Sequence, residues 1–202
     1  MKSAFLVLLT FVLSTASIHA ATNLGPSFEE LDPSAKNIEE TLKQYDAEYE
    51  RVTGKSAFLE SSSVNKAFDC FRKDCALWAQ VSLSQQKMYV FINGVHSFTW
   101  KVSSGMAGFS TPTFDRHPNG RIYDAYTSTK FPEGDYNGLG NMPYAVFIYG
   151  GYAIHGTTTG NWKKLGTPAS HGCIRLHPDN AKLFNDYVKA YGISDTWITV
   201  QR

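Results

Sequence analysis

One cysteine, Cys173, lies two residues after His171 and eighteen after His155, inside the run Ser170-His171-Gly172-Cys173-Ile174-Arg175. A thiol with the ordinary pKa of about 8.5 is only slightly ionised at neutral pH. An imidazole that takes its proton makes a thiolate able to attack a carbonyl carbon and form a thioester. In extended backbone the His171–Cys173 spacing puts both side chains on one face. His155 ends a strand-like segment, and the Gly- and Thr-rich residues after it lead the chain back toward Cys173. Gly172 lets the backbone approach a substrate closely, and adjacent N–H groups can hold an oxyanion. Nucleophilic acyl transfer is the chemistry indicated.

Two other readings stay open at this level. His155, His171, Cys173 and His177 are zinc-ligand types. Against that, the His171–Cys173 gap is tighter than the usual spacing within a ligand pair, and Pro178 draws His177 toward a helix cap. Cys173 could also be an inert core thiol, although its neighbours His, Gly and Arg are not core-like.

These residues need elements to position them. Ile38, Leu42, Tyr45 and Tyr49 recur at helical spacing, with Glu39, Glu40, Lys43 and Asp46 between them, which predicts an amphipathic helix over 38–49. From Leu77 the period becomes two: Leu77, Ala79, Val81 and Leu83 form one strand face. A second strand, Lys87–Ile92, enters Asn93-Gly94, a dipeptide suited to a tight hairpin turn, and returns over 95–102. His96 is read there as a hydrogen-bonded core or edge residue. Residues 103–143, rich in Gly, Pro, Ser, Thr and Asn, suit long loops around a site, with short strand-like pieces near 122–126. Strands follow at 144–149, 152–155 and 196–200. Between the last two, a helix opens on Pro178, carries Ala181, Phe184, Tyr187, Val188 and Tyr191, and ends at Gly192. The fold class expected is mainly β with flanking helices.

The chain has 202 residues, with 19 basic and 18 acidic side chains. That suits one sizeable core and provides no electrostatic footprint for nucleic acid. Met1-Lys2 and the apolar run from Ala4 to Leu13 precede small residues ending at Ala20, the form of a secretory signal peptide too short to span a bilayer comfortably, with an uncleaved N-terminal anchor as the other reading. The organisation expected is a signal peptide over 1–20, a helical and loop extension over 21–76, and a catalytic domain over 77–202. It places the protein in the periplasm or cell envelope, with no stable membrane span after cleavage. In that oxidising compartment Cys70 and Cys75, with four residues between them, are expected to pair. Cys173 is then left free.

His155, fourteen intervening residues and Ser170-His171-Gly172-Cys173-Ile174-Arg175 together resemble the catalytic signature of the YkuD-type L,D-transpeptidases. Leu83-Ser-Gln-Gln-Lys-Met-Tyr-Val-Phe-Ile-Asn-Gly, Val102-Ser-Ser-Gly, Ser110-Thr-Pro-Thr and Met142-Pro-Tyr-Ala-Val-Phe follow in the family's order, so the likeness runs from Val81 to Val200. The resemblance implies a β-sandwich or barrel-like catalytic domain acting on peptidoglycan stem peptides, without metal or cofactor. Its members attack a tetrapeptide before the terminal D-Ala and pass the acyl group to an amine, either of another stem or of a wall-anchored protein. Hydrolysis of the same thioester, and a wall-binding module with a relic site, are the alternatives.

By position, the resemblance makes Cys173 the nucleophile, His155 its base and the Gly156 carbonyl the group orienting that base. His171 positions substrate, Gly172 and Cys173 N–H groups form the oxyanion hole with the Tyr144 hydroxyl as helper, Arg175 holds a carboxylate, and Ser170 fixes the loop. The chain departs from the family run Thr-Pro-Thr-Gly-Thr-Phe at Thr111-Pro112-Thr113-Phe114-Asp115-Arg116-His117-Pro118. The segment behind it is therefore expected to be rearranged, with His117 on an exposed loop.

Overall fold

The computed structural model describes residues 36–58, 70–128, 131 and 134–202. The leader expected over 1–20 lies outside them. Among the described residues no helix is long and apolar enough to cross a membrane.

Helix α1 spans Ile38–Thr53 and runs one turn beyond the predicted end. It stops at Gly54, whose left-handed φ of 66° lets its N–H reach the Glu50 carbonyl. Ile38, Leu42 and Tyr49 are buried as the periodicity requires, and so are Thr41 and Asp46. Asp46 had read as a solvent-facing gap filler. It is instead 6% exposed and paired with Arg121 at 3.0 Å, while the Tyr123 hydroxyl donates to its other oxygen.

Strands β1 (Leu77–Ser82), β2 (Lys87–Ile92) and β3 (Val95–Lys101) form the predicted meander. Asn93 and Gly94 both take positive φ, 49° and 76°, as the tight turn demands. The sheet order is β3-β2-β1-β8-β4, with β8 (Thr196–Gln201) parallel to β1 and β4 (Phe114–Arg116) antiparallel to β8. His96 is exposed on the edge strand, its Nε2 2.9 Å from Thr99 Oγ1.

Strand β4 lies within the stretch expected to be loops. Its three residues are too few to show periodicity, and what holds them is tertiary. Asp115 accepts hydrogen bonds from Trp197 Nε1 and Thr199 Oγ1 and an ion pair from Arg72. Chiefly through Arg72, its pKa is held down to about 2. His117 is not exposed as expected. It is half-buried, with Nδ1 2.7 Å from the Thr196 carbonyl and its ring edge-on to Trp197.

Arg72 sits inside the small loop closed by a Cys70–Cys75 disulfide. Phe71 beside it packs on Trp197 with ring centroids 4.9 Å apart. The bridge therefore holds the Phe71–Arg72 pair against β8 and β4. Replacing Cys70 and Cys75 by serine is expected to lower unfolding free energy by about 2 kcal/mol on the loop-entropy relation, read from urea denaturation under non-reducing conditions.

A second sheet has the order β5-β6-β7, from Val146–Tyr149, Tyr152–Gly156 and Ile174–Leu176, with β6 and β7 parallel. Its alternation sorts side chains onto two faces. Val146, Ile148, Ile154 and Ile174 enter the main core with β1, β2, β8 and helix α2 (Pro178–Tyr191), which buries Ala181, Phe184 and Val188. Phe147 and Ala153 face the other way, into a second cluster with Leu42 and Tyr49 of α1, Tyr123, Tyr126 and Met142. His155, two residues after Ala153, belongs by parity to this second face, as does Cys173, which packs on the same cluster.

Candidate active site

One cavity is lined by Cys173, His155, Arg175, Ser170 and His171 together with Ser128, Phe131, Asn141, Met142, Phe147 and Gly151. His155 is 3% exposed, and its Nδ1 lies 2.6 Å from the Gly156 carbonyl. A carbonyl only accepts, so Nδ1 carries the proton and Nε2 keeps its lone pair. Gly156 can be nothing larger, because a Cβ there would lie within 2.9–3.1 Å of Pro143 and Pro178 atoms.

Cys173 is half-buried and is the free cysteine of the chain, its Sγ 3.4 Å from the Gly151 carbonyl. Gly172 has φ 118°, so His171 and Cys173 are not two residues of an extended strand, as the spacing had suggested. They reach one cavity because the chain turns at Gly172, where an added Cβ would lie 3.1 Å from the Tyr152 ring. The His171 ring stacks on Phe131 at 3.7 Å and meets Phe109 edge-on at 4.9 Å.

The loop is held from both ends. Ser170 Oγ donates to the Cys173 carbonyl at 2.5 Å and accepts from Gly172 N–H at 3.1 Å. This Gly172 N–H, expected in the oxyanion hole, is therefore occupied by Ser170. Thr111 Oγ1 accepts from Gly105 N–H and donates to the Gly172 carbonyl at 2.7 Å. Ser103 and Arg175 exchange both backbone hydrogen bonds, and the Ser104 carbonyl receives the N–H groups of Ala169 and Ser170. Ser104 is in turn fixed by the buried Gln86, which donates to its Oγ at 2.7 Å and accepts its N–H at 2.9 Å.

Gln86, Thr111 and Asn141 went unnoticed as site residues. The first two lie in runs already quoted for the resemblance, but their contacts cross 18 and 61 residues of chain. No local pattern announces such contacts.

Arg175 is 6% exposed and donates from Nη1 to the Ala169 carbonyl at 2.9 Å. Tyr144 does not line the cavity. A left-handed backbone, φ 58°, turns the chain there into β5 and leaves the ring 6.0 Å from Lys182 Nζ of α2. Nor do the four zinc-type residues converge: His177 caps α2 by accepting from Asp179 N–H and packs on Trp162. No group of three or more metal-ligand side chains gathers among the described residues.

Burial, helped by the Arg175 charge, pushes the His155 pKa down from 6.5 to about 3, against the smaller opposing pull of the Gly156 carbonyl. Burial likewise pushes the Cys173 thiol up from 9.0 to about 11, with an Ala153 backbone hydrogen bond and Arg175 acting the other way. The resting pair is a neutral thiol beside a neutral imidazole.

Below pH 6.5 the unfolded chain takes up a proton that folded His155 refuses, so stability falls with pH down toward 3. Above pH 9.0 unfolded Cys173 loses a proton that the folded thiol keeps, so stability falls again toward pH 11. Thermal unfolding against pH is expected to show both limbs. Cys173→Ala is expected to flatten the alkaline one.

A profile of the L,D-transpeptidase catalytic domain, YkuD, matches residues 76–199. No curated protein matches the chain. Among solved structures, an L,D-transpeptidase from Stackebrandtia nassauensis is 23% identical over 70% of this chain and 62% of its own, with a TM-score of 0.50. One from Mycobacterium tuberculosis H37Rv is 25% identical over 63% of this chain and 58% of its own, and one from Mycobacterium smegmatis is 23% identical over 63% and 59%, both with TM-scores of 0.49. The matched region thus spans about 59% of the length of such chains. With the profile covering β1 through most of β8, the mainly β two-sheet fold is that of the Stackebrandtia nassauensis protein, and the chain belongs to the YkuD family of L,D-transpeptidase catalytic domains.

Proposed function

We propose that the protein is a cysteine-dependent L,D-transpeptidase of peptidoglycan stem peptides, working in the cell envelope with residues 77–202 as its catalytic domain. The observation that carries this reading is the single cavity shared by Cys173, His155 and Arg175, with His155 Nδ1 committed to the Gly156 carbonyl and Nε2 left as its base atom.

In the first half-reaction Cys173 Sγ attacks the carbonyl of the third stem residue as its proton passes to His155 Nε2. Imidazolium and thiolate stabilise one another as they form, so a pair that is neutral at rest can still react as a unit. The developing oxyanion is met by the Cys173 N–H, since Ser170 occupies that of Gly172. Collapse expels the terminal D-Ala amine, which leaves with the proton from His155. An acceptor amine then attacks the thioester, gives its proton back through His155, and restores the thiol. Family membership and the tethered loop around Cys173 support this sequence.

Incubating the full chain with purified disaccharide-tetrapeptide and weighing the products tests it. Release of D-Ala with dimers joined through diaminopimelate, or with a muropeptide bound to protein, is expected. Tripeptide alone would make the protein a hydrolase, and binding without release or adduct would make it a wall-binding module.

A further inference from the structure

One wall of the cavity is unused by that chemistry. Ser128 lines it and is 5% exposed, and its Oγ has no hydrogen-bond partner among the described residues. Its backbone is fully engaged. The N–H donates to Asn141 Oδ1 at 2.8 Å, and the carbonyl accepts from Asn141 Nδ2 at 2.9 Å. The same Nδ2 reaches the Phe131 carbonyl at 3.0 Å. Asn141, itself buried, is thus committed to holding the wall, and the Ser128 hydroxyl is left over. Buried hydroxyls without partners are uncommon because they lose water and gain nothing in return. In the wall of a ligand cavity the missing partner is a ligand atom.

The cavity's chemistry narrows that atom. Among the described residues its lining carries one cation, Arg175, and no carboxylate. The Arg175 charge acts on both His155 and Cys173 in this cavity, so a substrate carboxylate is favoured there over an ammonium. Of the two lining serines, Ser170 already spans Gly172 N–H and the Cys173 carbonyl, so Ser128 is the hydroxyl able to serve a ligand. We propose that Ser128 Oγ donates a hydrogen bond to the terminal carboxylate of the donor stem peptide, in the cavity that also holds Arg175, and so selects donors ending in a free acid. This rests on the reading of the site as a stem-peptide acyltransferase.

The test compares release of D-Ala from a tetrapeptide with release of D-alaninamide from its C-terminal amide, by the full chain and by Ser128→Ala and Ser128→Thr. Losing a hydrogen bond to a charged group is expected to lower kcat/KM of Ser128→Ala about ten- to a hundredfold on the acid. The amide should change by no more than about twofold, and Ser128→Thr, which keeps a hydroxyl, should recover most of the loss on the acid. Equal losses on both peptides, or none on the acid, would overturn the role of Ser128 while leaving acyl transfer intact. If the wild-type chain releases nothing from either peptide, the acyl-transfer reading fails and takes this one with it.

Discussion

Cys173→Ala is expected to carry no adduct after exposure to a disaccharide-tetrapeptide or a carbapenem, and His155→Ala to acylate about 10²- to 10⁴-fold more slowly than the wild type. The size of the second effect follows from the resting state. With its pKa raised to about 11, the thiol is almost wholly protonated at pH 7 and cannot attack unaided. A base must take the proton as the bond forms. His155 is held by Gly156 in the tautomer that can do so. His171 sits between Phe131 and Phe109, an aromatic setting that suits packing against substrate. Time-resolved intact mass of the three proteins reads the result. Near-normal labelling of His155→Ala would move the base to His171.

Asp46→Ala is expected to destabilise the chain by about 3–5 kcal/mol, the usual consequence of removing one partner from a buried ion pair. Among the described residues Arg121 would keep one carboxylate, Glu39, whose side chain is 59% exposed, and the Tyr123 hydroxyl would lose its acceptor. Tyr123 is fully buried, and its pKa is raised by burial and by the Asp46 charge, so it remains a neutral donor across the physiological range. The effect reaches the cavity because Tyr123 and Tyr126 pack on Phe147, which lines it. Urea denaturation of the full chain, with acylation rate measured alongside, checks both consequences. A loss below about 1 kcal/mol, the level of an exposed ion pair, would show that α1 rests on the domain without supporting it.

The Asp46–Arg121 pair also shows why some of the structure could not be read in advance. Helix α1 was legible from four apolar residues at helical spacing, but what covers it was not. An aspartate between those residues looks the same whether it faces water or an arginine 75 positions away. The same holds for β4, which owes its place to Asp115 meeting Arg72, Trp197 and Thr199. Tyr144 stands apart from the cavity lining, with a positive φ invisible in the residue types around it and its ring beside Lys182 of α2.

The sequence by itself determined the elements with a period and the residues with distinctive chemistry. These are the β1–β3 meander with its Asn93-Gly94 turn, helix α2 between His177 and Gly192, and the Cys173, His155 and Arg175 set that carried the family resemblance. Hydrophobic alternation and reactive side chains are local properties, written in neighbouring residues. Tertiary structure alone decided that His155 and Cys173 share the α1-side face of the second sheet, that Thr111 ties down the Gly172 carbonyl, and that Asn141 leaves a hydroxyl at Ser128. Each of these follows from where burial and hydrogen-bond satisfaction bring distant segments together, and no short window of sequence contains both partners.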